Sequence, residues 1–351
     1  MNEKSLISIV VLNYNAGELL LNCINSLKKS TYQNIEILVV DNISSDDSHT
    51  KCKKQFPDIK LIQNRKNLGY CGGNNVGIKE AKGKFIVILN PDTIVEENWL
   101  DEMFNAFNEF GDGLYQPKII SLNESDIIQS TGNMIHVFGF GFARDKGKKI
   151  IEKKEEIEKI GYASGTCLFT TKEVLEKVGL LDEFLFLYHD DLDLGWRSAQ
   201  IGINSYYVPK SIIYHAESYS LKWSAKKFYW LERNRKYCLL THYSKNTYAK
   251  MYSSLCLVDL FVWFFYISKG FLGAKIKAEL DIRRNRKFIE TKYQELEKKK
   301  TVPDEKLIQE FPDEIFVPTN VSDNFMNESF NSILSRAMAR SMAVKASVAT
   351  W

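Results

Sequence analysis

The stretch Phe184–Arg197 reads FLFLYHDDLDLGWR and sets three carboxylates, Asp190, Asp191 and Asp193, within four positions directly after an aromatic-rich apolar run. Three negative charges this close repel one another unless a cation, a proton or a bound substrate offsets them. Arg197 stands four residues after Asp193, so on a helix it can pair with that carboxylate and leave Asp190 and Asp191 available. Alone, the pattern would fit a solvated acidic first turn favoured by the helix macrodipole equally well. A second acidic turn earlier in the chain argues against that reading. There KFIVILNPDT, Lys84–Thr93, runs from a continuous apolar, β-branched strand, Phe85–Leu89, into Asn90, Pro91 and Asp92. A carboxylate at the carboxyl end of a buried strand lies on the edge where open α/β sheets bind ligands. Asp92 could instead cap a helix running from Glu96 onward. A cap accounts for one acid, but not for polar residues at the ends of several strands.

The elements that must position these acids follow from hydrophobic periodicity. Ser8–Leu12 (SIVVL) reads as a strand ending in Asn13, Tyr14 and Asn15, and Ile35–Val40 (IEILVV) as one ending in Asp41 and Asn42. Between them, Leu20, Cys23, Ile24 and Leu27 fall at helical spacing within Leu19–Lys29, which makes a βαβ unit. Ile59–Ile62 is a third short strand. Gly69–Gly73 reads as a glycine-rich turn before a helix over Asn75–Ala81, and its free N–H groups could donate to phosphate oxygens. No G-x-G-x-x-G follows the first strand and no G-x-x-x-x-G-K-[ST] occurs, which excludes the usual dinucleotide and P-loop fingerprints.

The ordered blocks VVLNYN, VVDNISSDDS, NRKNLGYCGGNNVG, ILNPDT, ASGTCLFTTKEVLEKVGLLDE and YHDDLDLGWR resemble glycosyltransferase family 2, over about residues 5 to 240. More narrowly they look like its rhamnosyltransferase-like branch, which extends surface polysaccharides or lipid-linked glycans. The resemblance implies an α/β fold of the GT-A type: a Rossmann-like domain with a mixed central sheet. It implies an inverting transfer in which a base takes the acceptor proton and a cation stabilises the leaving nucleoside diphosphate. Asp191 matches the base, Asp190 would help hold the acceptor, and Asp193 with Arg197 would brace the turn. Asp92 matches the last acid of a D-x-D-type metal motif, and His215 in YVPKSIIYHAES matches a histidine that completes the metal shell in some relatives. Asp41 matches the acid that hydrogen-bonds the nucleotide base, with Asn13 and Asn15 lining the same pocket. Asn67, Gly69 and Asn75 match the loop near the ribose and phosphates. The D-x-D position reads Asn90-Pro91-Asp92, so one metal carboxylate is an amide; hard oxygen ligands still favour Mg2+ or Mn2+. The donor is expected to be UDP- or dTDP-linked, and the acceptor lipid-linked or a polysaccharide. The Q-x-x-R-W motif of processive synthases is absent.

Composition fits one catalytic domain plus an appendage: 351 residues, 44% hydrophobic, net charge +3. Six cysteines without a C-x-x-C pair read as reduced fillers, and MNEKS passes straight into a strand without a signal peptide, so a cytoplasmic enzyme is expected. Charge is unevenly spread. Lys222–Lys250 carries eight Lys/Arg against Glu232 alone, and Lys269–Lys300 carries eleven against five acids. Between them lies MYSSLCLVDLFVWFFYIS, 18 residues with Asp259 as the sole charge. Trp263, Phe264, Phe265 and Tyr266 suit a membrane interface, and the flanking cations suit anionic headgroups. An interfacial helix or hairpin is the preferred reading over a buried core helix, and a true span is least favoured. The expected division is therefore a catalytic domain over 1–220, a basic membrane-associating helical region over 221–300, and a linker with an amphipathic helix over 301–351. That last helix, Phe325–Met342, could dock on the enzyme or on a sister subunit. Arg144–Lys159 is a charged insertion, either a lid or a surface helix. No nucleic-acid motif accompanies the basic residues. The expected place of action is the cytoplasmic face of the cell membrane, peripherally bound. A glycan-binding or scaffolding paralogue without activity, or a transferase with a soluble acceptor, are the competing functions; the intact Asp41, Asp92 and Asp191 argue against an inert one.

Overall fold

The computed structural model describes residues 5–151, 156–216, 224–312 and 344–346. Twelve strands and eleven helices are defined among them. In chain order the strands are β1 (Ile7–Asn13), β2 (Ile35–Asp41), β3 (Lys60–Gln63), β4 (Phe85–Leu89), β5 (Thr93–Val95), β6 (Gly113–Ser121), β7 (Ile128–Ser130), β8 (Asn133–Ile135), β9 (Gly141–Ala143), β10 (Glu158–Ile160), β11 (Cys167–Thr171) and β12 (Asn204–His215). The helices of the first half are α1 (Glu18–Leu27), α2 (Ser48–Gln55), α3 (Gly69–Glu80), α4 (Trp99–Phe110), α5 (Lys172–Val178) and α6 (Asp190–Gln200). Those that follow are α7 (Ala225–His242), α8 (Lys245–Ser268), α9 (Leu272–Arg284), α10 (Arg286–Lys299) and α11 (Asp304–Glu310).

One sheet runs β10-β12-β6-β11-β4-β1-β2-β3, with β5 on β12 and β7 on β6. Strands β4, β1, β2 and β3 are mutually parallel, whereas β11 is antiparallel to both β4 and β6. The sheet is therefore mixed, as expected. β1 and β4 sit at its centre, and all their apolar residues but the half-buried Leu12 are buried, which is why their sequences show little of the alternation of a one-sided strand. Their side chains share a core with Leu20, Cys23 and Ile24 of α1 and with Trp99, Leu100 and Met103 of α4.

Three local expectations give way to tertiary structure. Gly69–Gly73 is the first part of α3 and not a turn before it. The glycines serve close packing: a Cβ on Gly77 would stand 2.3 Å from Val10 Cγ1 and 2.9 Å from Val40 Cγ2, so the helix lies directly on β1 and β2. Asp92 caps nothing, because β5 intervenes and α4 begins only at Trp99. Arg144–Lys159 holds no helix among the described residues. Arg144 instead pairs with Glu158 at 2.6 Å, and β10 adds an antiparallel edge strand to β12.

The chain folds into two compact units. The first comprises Met1–Asn133, Ala143–Gly195 and Ile203–Tyr219, and the second Met134–Phe142, Trp196–Gly202 and Ser220–Trp351. The second unit is helical. Trp196 is fully buried there, with His242, Tyr243 and Phe311 edge-on around its ring. Among the described residues, α8 is the one helix long and apolar enough to cross a membrane. Of its four consecutive aromatics only Phe264 is exposed. Tyr266 and Phe265 pack against Phe228, and Trp263 lies 5.2 Å from the Lys275 ammonium. The amphipathic helix expected over Phe325–Met342 lies outside the described residues.

Candidate active site

The two acidic turns are tied to one short strip of backbone. Antiparallel pairing sets Cys167 opposite Leu89, so the lead-in Ser164–Thr166 runs beside Asn90–Asp92. The Asn90 N–H donates to the Thr166 carbonyl at 2.9 Å. One residue earlier, the Gly165 N–H donates to Asp191 Oδ2 at 3.0 Å, and Leu192 N–H donates to Asp191 Oδ1 at 2.8 Å.

Those two amides separate the acidic pair. Asp190 is buried, and burial followed by the charges of Asp191 and Asp193 holds its carboxyl well above the usual range. Burial raises Asp191 as well, but the Gly165 and Leu192 amides oppose the shift, and this side chain is only half-buried. The two carboxyls are therefore raised unequally, Asp190 the more strongly. Asp193 and Arg197 lie one turn apart on α6, both buried.

Tyr70 completes this arrangement, and nothing in the spacing of the acids pointed to it. Its hydroxyl donates to the Gly165 carbonyl. Burial, then Asp190 and Asp191, raises the phenol well above its ordinary value, so it stays a neutral donor. Glycine at 165 gives this close approach room: a Cβ would stand 3.0 Å from Tyr70 Oη and 3.3 Å from Asp190 Oδ2, so both side chains would have to give by a few tenths of an ångström. The loop that delivers Asp190 is bent hard: Phe186, Tyr188 and His189 have φ of 63°, 66° and 61°. Each such residue costs on the order of 1–2 kcal/mol. The loop is held where the Tyr70 N–H, at the start of α3, donates to the Phe186 carbonyl at 2.6 Å.

Asp92 and His215 come together as the metal reading required. Asp92 Oδ2 lies 3.3 Å from His215 Nε2, and β5–β12 pairing sets Thr93 opposite His215. The other ring nitrogen, Nδ1, is 2.8 Å from Gln129 Oε1, and the Gln129 amide donates to the His215 carbonyl at 2.9 Å. In the neutral tautomer that donates Nδ1–H to Gln129 Oε1, the Nε2 lone pair faces the Asp92 carboxylate. Asp92 Oδ1 is buried without a hydrogen-bond partner among the described residues. Two acceptors face to face beside an orphaned carboxylate oxygen fit a divalent cation, with Gln129 fixing the tautomer. Gln129 was invisible in the sequence, because it reaches His215 from 86 residues away.

The expected nucleotide residues divide into two groups. Asn13, Asn15 and Asp41 are brought together at the ends of β1 and β2. Asn13 Nδ2 donates to Asp41 Oδ1 at 2.8 Å, and Ser44 N–H donates to Asp41 Oδ2 at 3.1 Å. Asn15, in the left-handed region at φ 56°, accepts from Ser45 N–H at 2.6 Å, which joins the two loops. Asn67 Oδ1 accepts from Gly69 N–H at 2.8 Å at the start of α3, where Gly69 has φ 71°. Asn42, buried at the end of β2, joins both groups by donating to the Gly69 carbonyl at 2.9 Å. Asn75 lies apart: its amide brackets Leu181, donating to the carbonyl at 2.8 Å and accepting from the N–H at 3.1 Å.

Comparison with known proteins accords with this geometry. The low-salt glycan biosynthesis hexosyltransferase Agl10 of Haloferax volcanii is 26% identical over 207 residues, 56% of this chain and 63% of that protein. The N-acetylglucosaminyl-diphospho-decaprenol L-rhamnosyltransferase of Mycobacterium tuberculosis is 26% identical over 234 residues, 60% of this chain and 76% of that protein. The chain thus spans somewhat less than two thirds of the Haloferax relative and about three quarters of the Mycobacterium one. The crystal structure of GalNAc-T7 with UDP, GalNAc and Mn2+ superposes with a TM-score of 0.58 at 18% identity, over 71% of this chain and 51% of that one. At that identity it establishes the fold, which is of the GT-A type. Residues 8–179 match the family model for glycosyl transferase family 2, and with the acidic turns and mixed sheet in place the chain belongs to that family.

Proposed function

We propose that the chain is an inverting glycosyltransferase that moves a sugar from a UDP- or dTDP-linked donor to a lipid-linked or cell-surface glycan acceptor, at the cytoplasmic face of the cell membrane. Asp191 takes the acceptor hydroxyl proton as that oxygen attacks the anomeric carbon, and the bond from that carbon to the diphosphate breaks with its electron pair on the leaving group. Asp190, protonated, donates a hydrogen bond toward the acceptor. Mg2+ or Mn2+ held by Asp92 and His215 would neutralise charge on the diphosphate. Asn13, Asn15, Asp41, Asn67 and Gly69 frame the nucleotide end, and Asp193 with Arg197 braces α6.

The observation that carries this reading is the half-buried Asp191, preset by the Gly165 amide beside a more deeply buried Asp190. A glycan-binding or scaffolding paralogue has no use for a base set up this way. The lipid-linked acceptor is supported by the name of the Mycobacterium relative, and the metal and uridine nucleotide by the ligands of GalNAc-T7. A thermal-shift screen over UDP- and dTDP-sugars with Mn2+ tests it, since a ligand at 100 times its Kd stabilises by about 2.7 kcal/mol. A donor that raises Tm should be consumed when a prenyl-diphosphate-linked glycan is added. No shift with any nucleotide sugar, and no transfer, would refute it.

A further inference from the structure

We propose that α8 and α9 rest on an anionic membrane surface, and that α8 lies along that surface and does not cross it. α8 is apolar on two opposite sides. Met251, Ser254, Leu255, Val258 and Tyr266 are buried inside the helical unit. Tyr252, Leu260, Phe264 and Ile267 are 60%, 63%, 60% and 54% exposed. Their spacing of eight, four and three residues keeps them on one stripe. The stripe extends over most of the helix, and α9 carries a second one in Leu272, Ile276 and Leu280, each more than 40% exposed. Exposed apolar rows of this kind mark an interaction surface.

Charge identifies the occupant. Both carboxylates of α9 are used inside the unit: Glu279 accepts from Lys275 at 2.7 Å, and Asp281 accepts from the Tyr229 hydroxyl at 2.6 Å. The charges that α9 leaves at its exposed positions are the cations Lys277, Arg283 and Arg284, interleaved with the apolar row. Apolar side chains alternating with cations match the acyl boundary and anionic headgroups of a bilayer, whereas a protein partner would require acidic complementarity of fixed shape.

The lying geometry follows from Asp259. At 24 residues, α8 is long enough to span the hydrocarbon core. Its Asp259 is nevertheless fastened to α7 and α9: the fully buried Lys275 ammonium donates to Asp259 at 2.6 Å, to Glu232 at 2.6 Å and to Glu279 at 2.7 Å. Lys236 of α7 stands 3.1 Å from the same Asp259 carboxylate. Crossing the bilayer would pull α8 off this cluster, leaving Lys275 and Lys236 short of an anion and putting Asp259 in hydrocarbon. Lying flat keeps the cluster intact and puts only the exposed stripe into lipid.

The inference gives the proposed lipid-linked acceptor a surface to be reached from, but it is tested without turnover, so the two can fail separately. The full chain is floated with vesicles of phosphatidylcholine alone and with phosphatidylglycerol added, then washed with alkaline carbonate. The wild type should float with the anionic vesicles, bind several-fold less to neutral ones, persist in part at high salt, and be released by carbonate. Leu260→Glu/Phe264→Glu should lose most of the bound fraction with an unchanged melting curve. Should that pair unfold, Ile276→Glu/Leu280→Glu on the other helix takes its place with the same expectation. Arg283→Gln/Arg284→Gln should erase the preference for anionic lipid. Wild-type protein staying soluble with every vesicle, or a stripe variant floating as the wild type does, overturns the surface. Resistance to carbonate overturns the lying geometry, and concentration-dependent self-association in place of vesicle binding assigns the stripe to a second copy of the chain.

Discussion

Asp92 Oδ2 stands 3.3 Å from His215 Nε2, and the other nitrogen of that ring, Nδ1, stands 2.8 Å from Gln129 Oε1. A divalent cation held between Asp92 and His215 would be oriented by this arrangement, with the Gln129 contact setting how the His215 ring meets it.

Gln129→Leu should accordingly weaken Mn2+-dependent UDP binding by about 10–100-fold without unfolding the protein, as expected when a ligand loses its orienting partner. Asp92→Ala should remove the metal dependence altogether. Calorimetric titration of UDP with and without Mn2+ measures both. Equal affinities for the wild type under the two conditions would dispose of the metal site, Asn90 then having cost the motif its function.

Asp191→Asn should lower kcat by about 10²–10⁴-fold with donor affinity nearly unchanged, the signature of a lost general base. Because burial raises the Asp191 carboxyl, activity of the wild type should fall on acidification at a pH above the usual carboxylate value of about 4. Retained turnover in Asp191→Asn together with loss in Asp190→Asn would exchange the two roles.

Tyr70→Phe removes the donor to the Gly165 carbonyl and loosens the amide that holds Asp191. We expect a stability loss of about 0.5–1.5 kcal/mol for the lost hydrogen bond to a part-buried carbonyl, and kcat lowered roughly tenfold with donor KM unchanged. The acid limb of the pH profile should move upward, since the Gly165 amide favours the ionised carboxylate. An unmoved limb would reduce Tyr70 to a packing residue.

Asp190→Asn should make the protein more stable while lowering its activity. The sign follows from the raised carboxyl: its protonated form favours the folded state, and that contribution is full at low pH and is lost as pH rises through the folded value. The Tm advantage of the variant over the wild type should therefore widen from acid to neutral pH. A gap that narrows with rising pH would show Asp190 to be stabilised as an anion.

The parallel half of the sheet and both acidic turns were legible in the chain because their signals are local. β4 is an unbroken apolar run, β1 and β2 are apolar but for Ser8, Glu36 and their polar last residues, and the acids sit immediately beyond β4 or at the first turn of α6. The basic and aromatic bias of residues 222–300 was legible for the same reason. Other features depend on residues far apart in sequence. Glycine spacing has no meaning until β1 and β2 lie beneath it, with Leu12 under Gly73 and Val10 and Val40 under Gly77, so Gly69–Gly73 read as a turn and folded as the start of α3. β5, β10 and β11 are short, and pairing partners distant in sequence create them, with β11 antiparallel between β4 and β6. Gln129 behind His215, Gly165 beneath Asp191 and Tyr70 beneath Gly165 belong to the same class. The sequence determined which residue types could do chemistry. Tertiary structure decided which carboxylate is preset by an amide, and which face of α8 is free, because hydrogen-bond geometry and burial arise only when distant segments meet.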